Sequence, residues 1–259
     1  MQIAQLLQPH SWTFCNDPFP HVRADDVFTP TVYRELEGAF ATILSGGSLA
    51  SWPAVGFSRN MPGYDAAAID FDVRVGWPFD VFVSRSWHDM FVELFGVDGN
   101  LYVSGALHHH AAGSRDGFVH NDLNPGWFLD GDGDGEDVVI PRGHLCNYRN
   151  GVTLGGAAVN AIETIRGVAI IYYLNNSDWS AGDGGETGLY RTGRDPVGQY
   201  VVAVPPLNNS LVAFECTPSS FHSFLANPRR PRNSICVWLH RPKETVLAKW
   251  GNSVIVPWQ

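Results

Sequence analysis

From about residue 100 onward the chain breaks into short apolar stretches. "NLYVSGALHHH", "GFVHND", "GVAIIYYLNN", "ETGLYR", "QYVVAVPP", "SLVAFEC", "FHSFLA" and "NSICVWLHR" follow one another, each bounded by Gly, Pro, Asn, Asp or Ser. Stretches of this length with turn residues at both ends are strands, and a long series of them closes into a sandwich or barrel. The 27 glycines and 17 prolines agree. The expected fold is mainly β, a sandwich or jelly roll with helices supporting one sheet.

Two segments ahead of the strands are predicted to be helical. "TPTVYRELEGAFATIL" offers Thr29 as N-cap and Pro30 at the first helical position, sets Val32, Leu36, Phe40 and Ile43 on one stripe, and ends at Gly46-Gly47. "SRSWHDMFVELFG" starts at Ser84, puts Trp87, Phe91, Leu94 and Phe95 on one face, and stops at Gly96. Residues 51–80 show little periodicity and read as loops with one short strand. A chain of 259 residues, 44% hydrophobic, can bury one large core. The expected organisation is a single domain: helical and loop support over 1–98, a jelly-roll core over 99–241 and a tail over 242–259. Within the core, 129–166 is expected to be a lid or insertion of irregular structure.

The formal net charge of −9 argues against a nucleic-acid partner, which needs clustered Lys and Arg. Cys15, Cys146, Cys216 and Cys236 form no C-x-x-C pair, so a zinc ribbon or a dense disulfide framework is not expected. "MQIAQLLQPHSW" has no cationic segment leading into an apolar one, and nowhere do eighteen apolar residues run together. A reduced, cytoplasmic protein with no membrane partner is expected.

The stretch "GFVHNDLNPGWF", 117–128, places His120 and Asp122 two residues apart at a strand end. Residues i and i+2 of a strand point to one side, so both can reach one ion. The pair by itself can equally be two polar residues hydrogen-bonding a turn. His222 in "SSFHSF" supplies a third ligand. Two imidazoles and a carboxylate on one face of an octahedral metal leave the opposite face free, an arrangement suited to iron(II) that must bind a co-substrate and dioxygen. Ten residues after His222 stands Arg232, then Ser234. A guanidinium forks onto a carboxylate and a hydroxyl adds a further bond, so the two form a carboxylate anchor. Ile235, Val237 and Leu239 alternate with Ser234, Cys236 and Trp238, which sets the anchor on the face opposite the apolar one.

The ordered set "HND", "FHSF" and "RNS" resembles the non-haem iron(II) and 2-oxoglutarate-dependent oxygenases, in particular the prolyl-4-hydroxylase-like branch. The resemblance covers roughly residues 100–241, and "GGETGLY", 184–190, resembles the family's glycine turn entering a core strand. It implies a double-stranded β-helix, the cupin-like form of the jelly roll. It also implies His120, Asp122 and His222 as iron ligands, Arg232 with Ser234 as the holders of the distal carboxylate of 2-oxoglutarate, and Fe(II), 2-oxoglutarate and O2 as cofactors. His110 stands where many relatives carry a tyrosine that touches 2-oxoglutarate, and is a departure from the pattern. Family members that halogenate replace the carboxylate ligand by a small residue. Asp122 therefore implies hydroxylation.

His108 and His110 fall on one face of their strand and His109 on the other, so the first two are candidates to line a cavity. Trp127 and Trp238 are the aromatic residues expected near substrate, because they lie close in sequence to Asp122 and Arg232. "DGDGDGED", 130–137, begins like a calcium loop, but its twelfth position is Pro141, so a solvated loop is expected. Its negative charge beside the site favours a cationic or zwitterionic small molecule, such as an amino acid or a metabolite derived from one. The competing readings are a prolyl-type peptide hydroxylase and a non-catalytic metal-binding jelly roll, which would have no use for Arg232.

Overall fold

The first helix forms where its stripe predicts. α1, Pro30–Leu44, is capped by Thr29, whose hydroxyl accepts from the Val32 N–H, and buries Val32, Leu36, Ala39, Phe40 and Ile43. α2, Arg85–Phe95, is capped by Ser84 and ends at Gly96 in the left-handed conformation (φ 59°), which an L side chain adopts only at a cost. A third helix, α3, covers Lys243–Trp250 within the expected tail. The computed structural model describes residues 3–9, 12–47, 49, 56–58, 65–130, 135–154, 160–176 and 178–258. Asp132 and Asp134 of the acidic loop lie outside them.

The strands are β1 (Thr13–Cys15), β2 (His21–Ala24), β3 (Ala66–Asp70), β4 (Val103–His110), β5 (Pro125–Leu129), β6 (Ala161–Tyr173), β7 (Thr187–Tyr190), β8 (Val202–Val204), β9 (Ser210–Glu215), β10 (Phe221–Phe224) and β11 (Arg232–Pro242). A large antiparallel sheet runs β1-β2-β9-β6-β11-β4-β3, with β5 also pairing β6, and a small one runs β10-β7-β8. Alternation along the central strands separates two cores. Val168, Ile170 and Tyr172 of β6 and Ile235, Val237 and Leu239 of β11 face α1 and α2, where they join Phe28, Phe40, Trp87 and Phe91. Ala169, Ile171 and Tyr173 of β6, with Cys236 of β11, face the small sheet and pack with Leu189, Val212 and Phe214. The mainly β jelly roll with helices against one sheet is thus the observed fold.

The structure corrects several expected boundaries. The front of the chain is not only helix and loop with one short strand: that strand is β3, which extends the large sheet through β4, and β1 and β2 extend it through β9 as well. Strands as short as "TFC" and "HVRA" carry too little alternation to register, and "AAAID" is built from poor strand formers whose pairing comes from β4. "GFVHND" is reduced to a single bridge between His120 and His222. The expected insertion 129–166 is shorter than predicted. Its last residues open β6, which pairs with β5 from Pro125↔Ile165 to Leu129↔Ala161.

One irregularity positions the site. Leu239 pairs with Val168 but His240 pairs with Arg166, so Gly167 is an extra residue in β6. Such a bulge re-aims the side chains beyond it. Strict alternation would put Arg166 with Val168 and Ile170, toward the helices; the bulge puts it on the face of Trp238 and His240.

Candidate metal centre

His120 and His222 exchange both backbone hydrogen bonds, His120 N to His222 O at 3.0 Å and His222 N to His120 O at 2.8 Å. A directly opposed antiparallel pair presents its side chains on one face, and the two imidazole centroids lie 4.4 Å apart. Each ring is fixed by a carbonyl: Nδ1–H of His120 donates to Phe118 O at 2.9 Å and Nδ1–H of His222 to Ser220 O at 3.2 Å. A carbonyl only accepts, so these bonds put the proton on Nδ1 and leave the Nε2 lone pair for a metal.

Asp122 completes the group. Its carboxylate lies 3.9 Å from His120 Nε2 and 3.5 Å from His222 Nε2, and one ligand atom from each of the three residues falls within 4.8 Å of the others. The carboxylate is held from behind. Arg166 Nη1 donates to Oδ1 at 2.9 Å and Trp238 Nε1 to Oδ2 at 2.8 Å. Burial alone would push the Asp122 carboxyl up; the Arg166 guanidinium, then His222 and His120, reverse this and hold it well below the usual carboxylate range. Burial, followed by His120, lowers His222 to about 4, so its ring is neutral and ready to ligate.

Beside the triad, Arg232 is 4% exposed. Its Nη1 donates to Ser234 Oγ at 2.8 Å and its Nη2 to Thr187 Oγ1 at 3.3 Å, while the guanidinium lies 5.1 Å from the Tyr173 ring. Tyr173 and Thr187 share a 2.6 Å hydroxyl bond. Nε of Arg232 has no acceptor, and no carboxylate pairs with this buried cation among the described residues. A buried, uncompensated guanidinium is costly, and the distal carboxylate of 2-oxoglutarate would offset that cost. The donor set of the triad and this orphaned cation both fit iron(II) with 2-oxoglutarate.

The remaining expected site residues divide. His108 and Trp238 line the cavity of about 170 Å³ that holds the triad and Arg232, and they also line an adjoining cavity of about 810 Å³. Burial and then Arg232 lower His108 to about 4. His110 is paired in register with Arg232 and stacked on Phe224 at 3.8 Å, fully buried behind the cavity wall and not on its surface. Burial and Arg232 hold it neutral. Trp127 lines neither cavity: it points away from them and packs on Gly151, where an added Cβ would meet its ring at 2.5 Å. Sequence reading missed Arg166, Thr187, Tyr173 and the segment Val256–Trp258, all close to the triad or Arg232. For Thr187 the glycine turn at 184–185 was a signal. For Arg166 the signal was hidden by the bulge.

A jelly roll whose two sheets enclose two histidines, a carboxylate and a buried arginine defines a class, the non-haem iron oxygenases that use a 2-oxo acid. Residues 144–240 match the family model described as 2OG-Fe(II) oxygenase superfamily, a span that carries Arg166, His222, Arg232 and Ser234. That match covers 97 of the 259 residues, and with the donor set of the triad it supports an oxygenase that works with Fe(II), 2-oxoglutarate and O2. Its fold is similar to that of a Pseudomonas putida prolyl-4-hydroxylase (TM-score 0.53, 15% identity, 90% of this chain and 94% of that one). It is also similar to a Trichoplax adhaerens prolyl hydroxylase in complex with a hypoxia inducible factor peptide fragment (TM-score 0.51, 16% identity, 88% and 87%). A third is the viral collagen prolyl hydroxylase of Paramecium Bursaria Chlorella virus-1 in its 2OG complex (TM-score 0.50, 12% identity, 87% and 98%). No curated protein matches the sequence. Among the described residues no helix is long and apolar enough to cross a membrane.

Proposed function

We propose that the protein hydroxylates an unactivated C–H bond of a small molecule, an amino acid or a metabolite derived from one. The observation that carries this reading is Arg232, a buried cation without a carboxylate partner among the described residues, set in the cavity that holds His120, Asp122 and His222. In this assignment His120, Asp122 and His222 hold the iron. Arg232 and Ser234, with Thr187, hold the distal carboxylate of 2-oxoglutarate. Bound iron with 2-oxoglutarate and dioxygen supplies an oxidant able to take hydrogen from a C–H bond, with succinate and carbon dioxide as co-products.

The chain's own residues then orient and exclude. Arg166 and Trp238 fix the Asp122 carboxylate, so its direction does not drift when the other ligand positions change. His108, neutral at physiological pH, adds no charge to the wall it shares with Trp238. Arg166, Trp238 and Trp258 form the boundary with the cavity of about 810 Å³, a size suited to a small organic molecule. Trp258 walls this space and, with Val256, the inner cavity, where a peptide substrate would ask for an extended groove. Asp122 as an intact carboxylate favours hydroxylation over halogenation.

The test is anaerobic addition of iron(II) and then 2-oxoglutarate, reading the visible charge-transfer band of the chelate. The band should form in wild type and be weakened or lost in Asp122→Ala and Arg232→Ala. Its absence at saturating iron and 2-oxoglutarate would leave a metal-binding jelly roll. Oxygen-dependent succinate formation with free amino acids against a proline-rich peptide then separates the small-molecule reading from the prolyl-type one.

A further inference from the structure

The two cavities meet at His108, Arg149, Arg166, Trp238 and Trp258, which line both. The arginines of these walls are differently engaged. Arg166 is committed to Asp122, Arg74 to Asp72, and Arg232 lies at the inner end with Ser234 and Thr187. Arg149 meets no carboxylate among the described residues, and its guanidinium lies 5.1 Å over the Trp258 ring.

Both halves of this pair are anchored. The Arg149 N–H donates to Asn147 Oδ1 at 2.9 Å, and the preceding carbonyl, Tyr148 O, accepts from Trp127 N at 2.9 Å. Trp258 Nε1 donates to Pro125 O at 2.8 Å. Val256 N bonds Leu123 O at 2.9 Å and Val256 O accepts from Asn124 Nδ2 at 2.9 Å, which clips the C-terminal segment onto the residues just after Asp122. The Arg166 guanidinium lies 4.7 Å from the same ring, and a guanidinium resting on a pinned indole loses less freedom when it meets a planar anion than one free in solvent.

We propose that Arg149, seated on Trp258, is the substrate-recognition residue and selects a molecule with a free carboxylate. This rests on the small-molecule reading above and sharpens it, since an internal residue of a peptide has no free α-carboxylate to offer. In a chain of net charge −9, a cavity arginine with no acidic partner among the described residues is available to an incoming anion. The planar carboxylate matches its fork bidentately.

The test uses the anaerobic protein loaded with iron(II) and 2-oxoglutarate, and three probes: benzoate, benzamide and phenyl phosphate. Binding is read by equilibrium dialysis while the visible band reports whether 2-oxoglutarate stays in place. Benzoate should bind about tenfold or more tightly than benzamide, as a charged hydrogen-bonded pair implies, without loss of the band. Arg149→Ala should abolish that preference, and Arg149→Lys should retain part of it; unchanged melting temperatures show that both variants are folded. Equal binding of benzoate and benzamide, an undiminished preference in Arg149→Ala, or displacement of the band by benzoate would overturn the proposal. Tighter binding of phenyl phosphate would overturn the carboxylate as the selected group. A wild-type protein without the band would sink the cofactor assignment instead, and dialysis would still read the benzoate preference at Arg149.

Discussion

Arg166 reaches Asp122 across 44 residues of sequence and donates to its carboxylate at 2.9 Å, with both side chains buried. The guanidinium also lies 3.6 Å over the Trp238 ring, whose N–H holds the other carboxylate oxygen. The carboxylate is therefore fixed from behind by two groups on neighbouring strands.

Removing that support should weaken the metal site without removing a ligand. Arg166→Met is expected to lower iron(II) affinity about 10–100-fold, the usual cost of losing an outer partner of a ligand. Trp238→Phe should cost less, because it removes one neutral donor. An anaerobic iron titration checks both, and an unchanged affinity in Arg166→Met would remove Arg166 from the site.

The glycine turn should set co-substrate binding through Arg232. Gly185 has φ +85°, and an added Cβ would lie 3.3 Å from Arg232 Cβ and Cγ. Gly185→Ala is strained and crowds the arginine, so the KM for 2-oxoglutarate should rise about tenfold. Iron binding without 2-oxoglutarate should stay at the wild-type level. Steady-state succinate formation and an iron titration separate these; equal losses in both would indicate a general collapse of the site.

The bulge should not tolerate a side chain. At Gly167 a Cβ would sit 3.1 Å from Arg241 Nε and 3.2 Å from Leu239 O, one of them backbone. Gly167→Val should cost about 1–3 kcal/mol of stability and weaken iron binding, because it disturbs the register that aims Arg166. Urea denaturation beside the iron titration tests this, and a stable variant with normal iron affinity would show that the register survives.

Acid should destabilise the metal-free protein in a defined window. Burial and then Arg232 lower His108 from 6.5 to about 4, against weaker opposition from Asp70 and Asp122; burial and then Arg166 lower His240 well below its ordinary value. Each folded-state pKa is depressed, so the unfolded chain binds more protons below pH 6.5. The stability these neutral rings contribute is complete above that pH and is lost as pH falls toward 4, on the order of 3 kcal/mol for His108. Urea midpoints at pH 7.5, 6 and 5 should fall in that order, and His108→Gln should flatten the slope. A slope unaltered in that variant would count against His108.

The helices and most core strands were legible because their signals are local. A capping Thr29, a Pro30 at the first turn and a 3.6-residue stripe act within one segment, and so does the alternation that sends Ile235, Val237 and Leu239 to one side of β11. The triad was legible because the order of His120, Asp122, His222, Arg232 and Ser234 resembles a known family; the strand expected to align His120 with Asp122 is only the bridge between His120 and His222. Local signals failed at β1 and β2, which are too short to register alone, and they gave one short strand within 51–80 without placing it at the alanine-rich β3; all three exist because a neighbouring strand supplies their hydrogen bonds.

The sequence by itself determined the β class, the helical support and the residue types able to hold iron and a 2-oxo acid, since these depend on period, capping and donor chemistry. Only the tertiary structure decided which groups surround them. A bulge at Gly167 turns Arg166 toward Asp122, register buries His110 behind Arg232, Trp127 faces away, and the C-terminal segment lays Trp258 beneath Arg149. Each of these depends on pairing between segments far apart in the chain, where one residue of register exchanges the two faces of a strand.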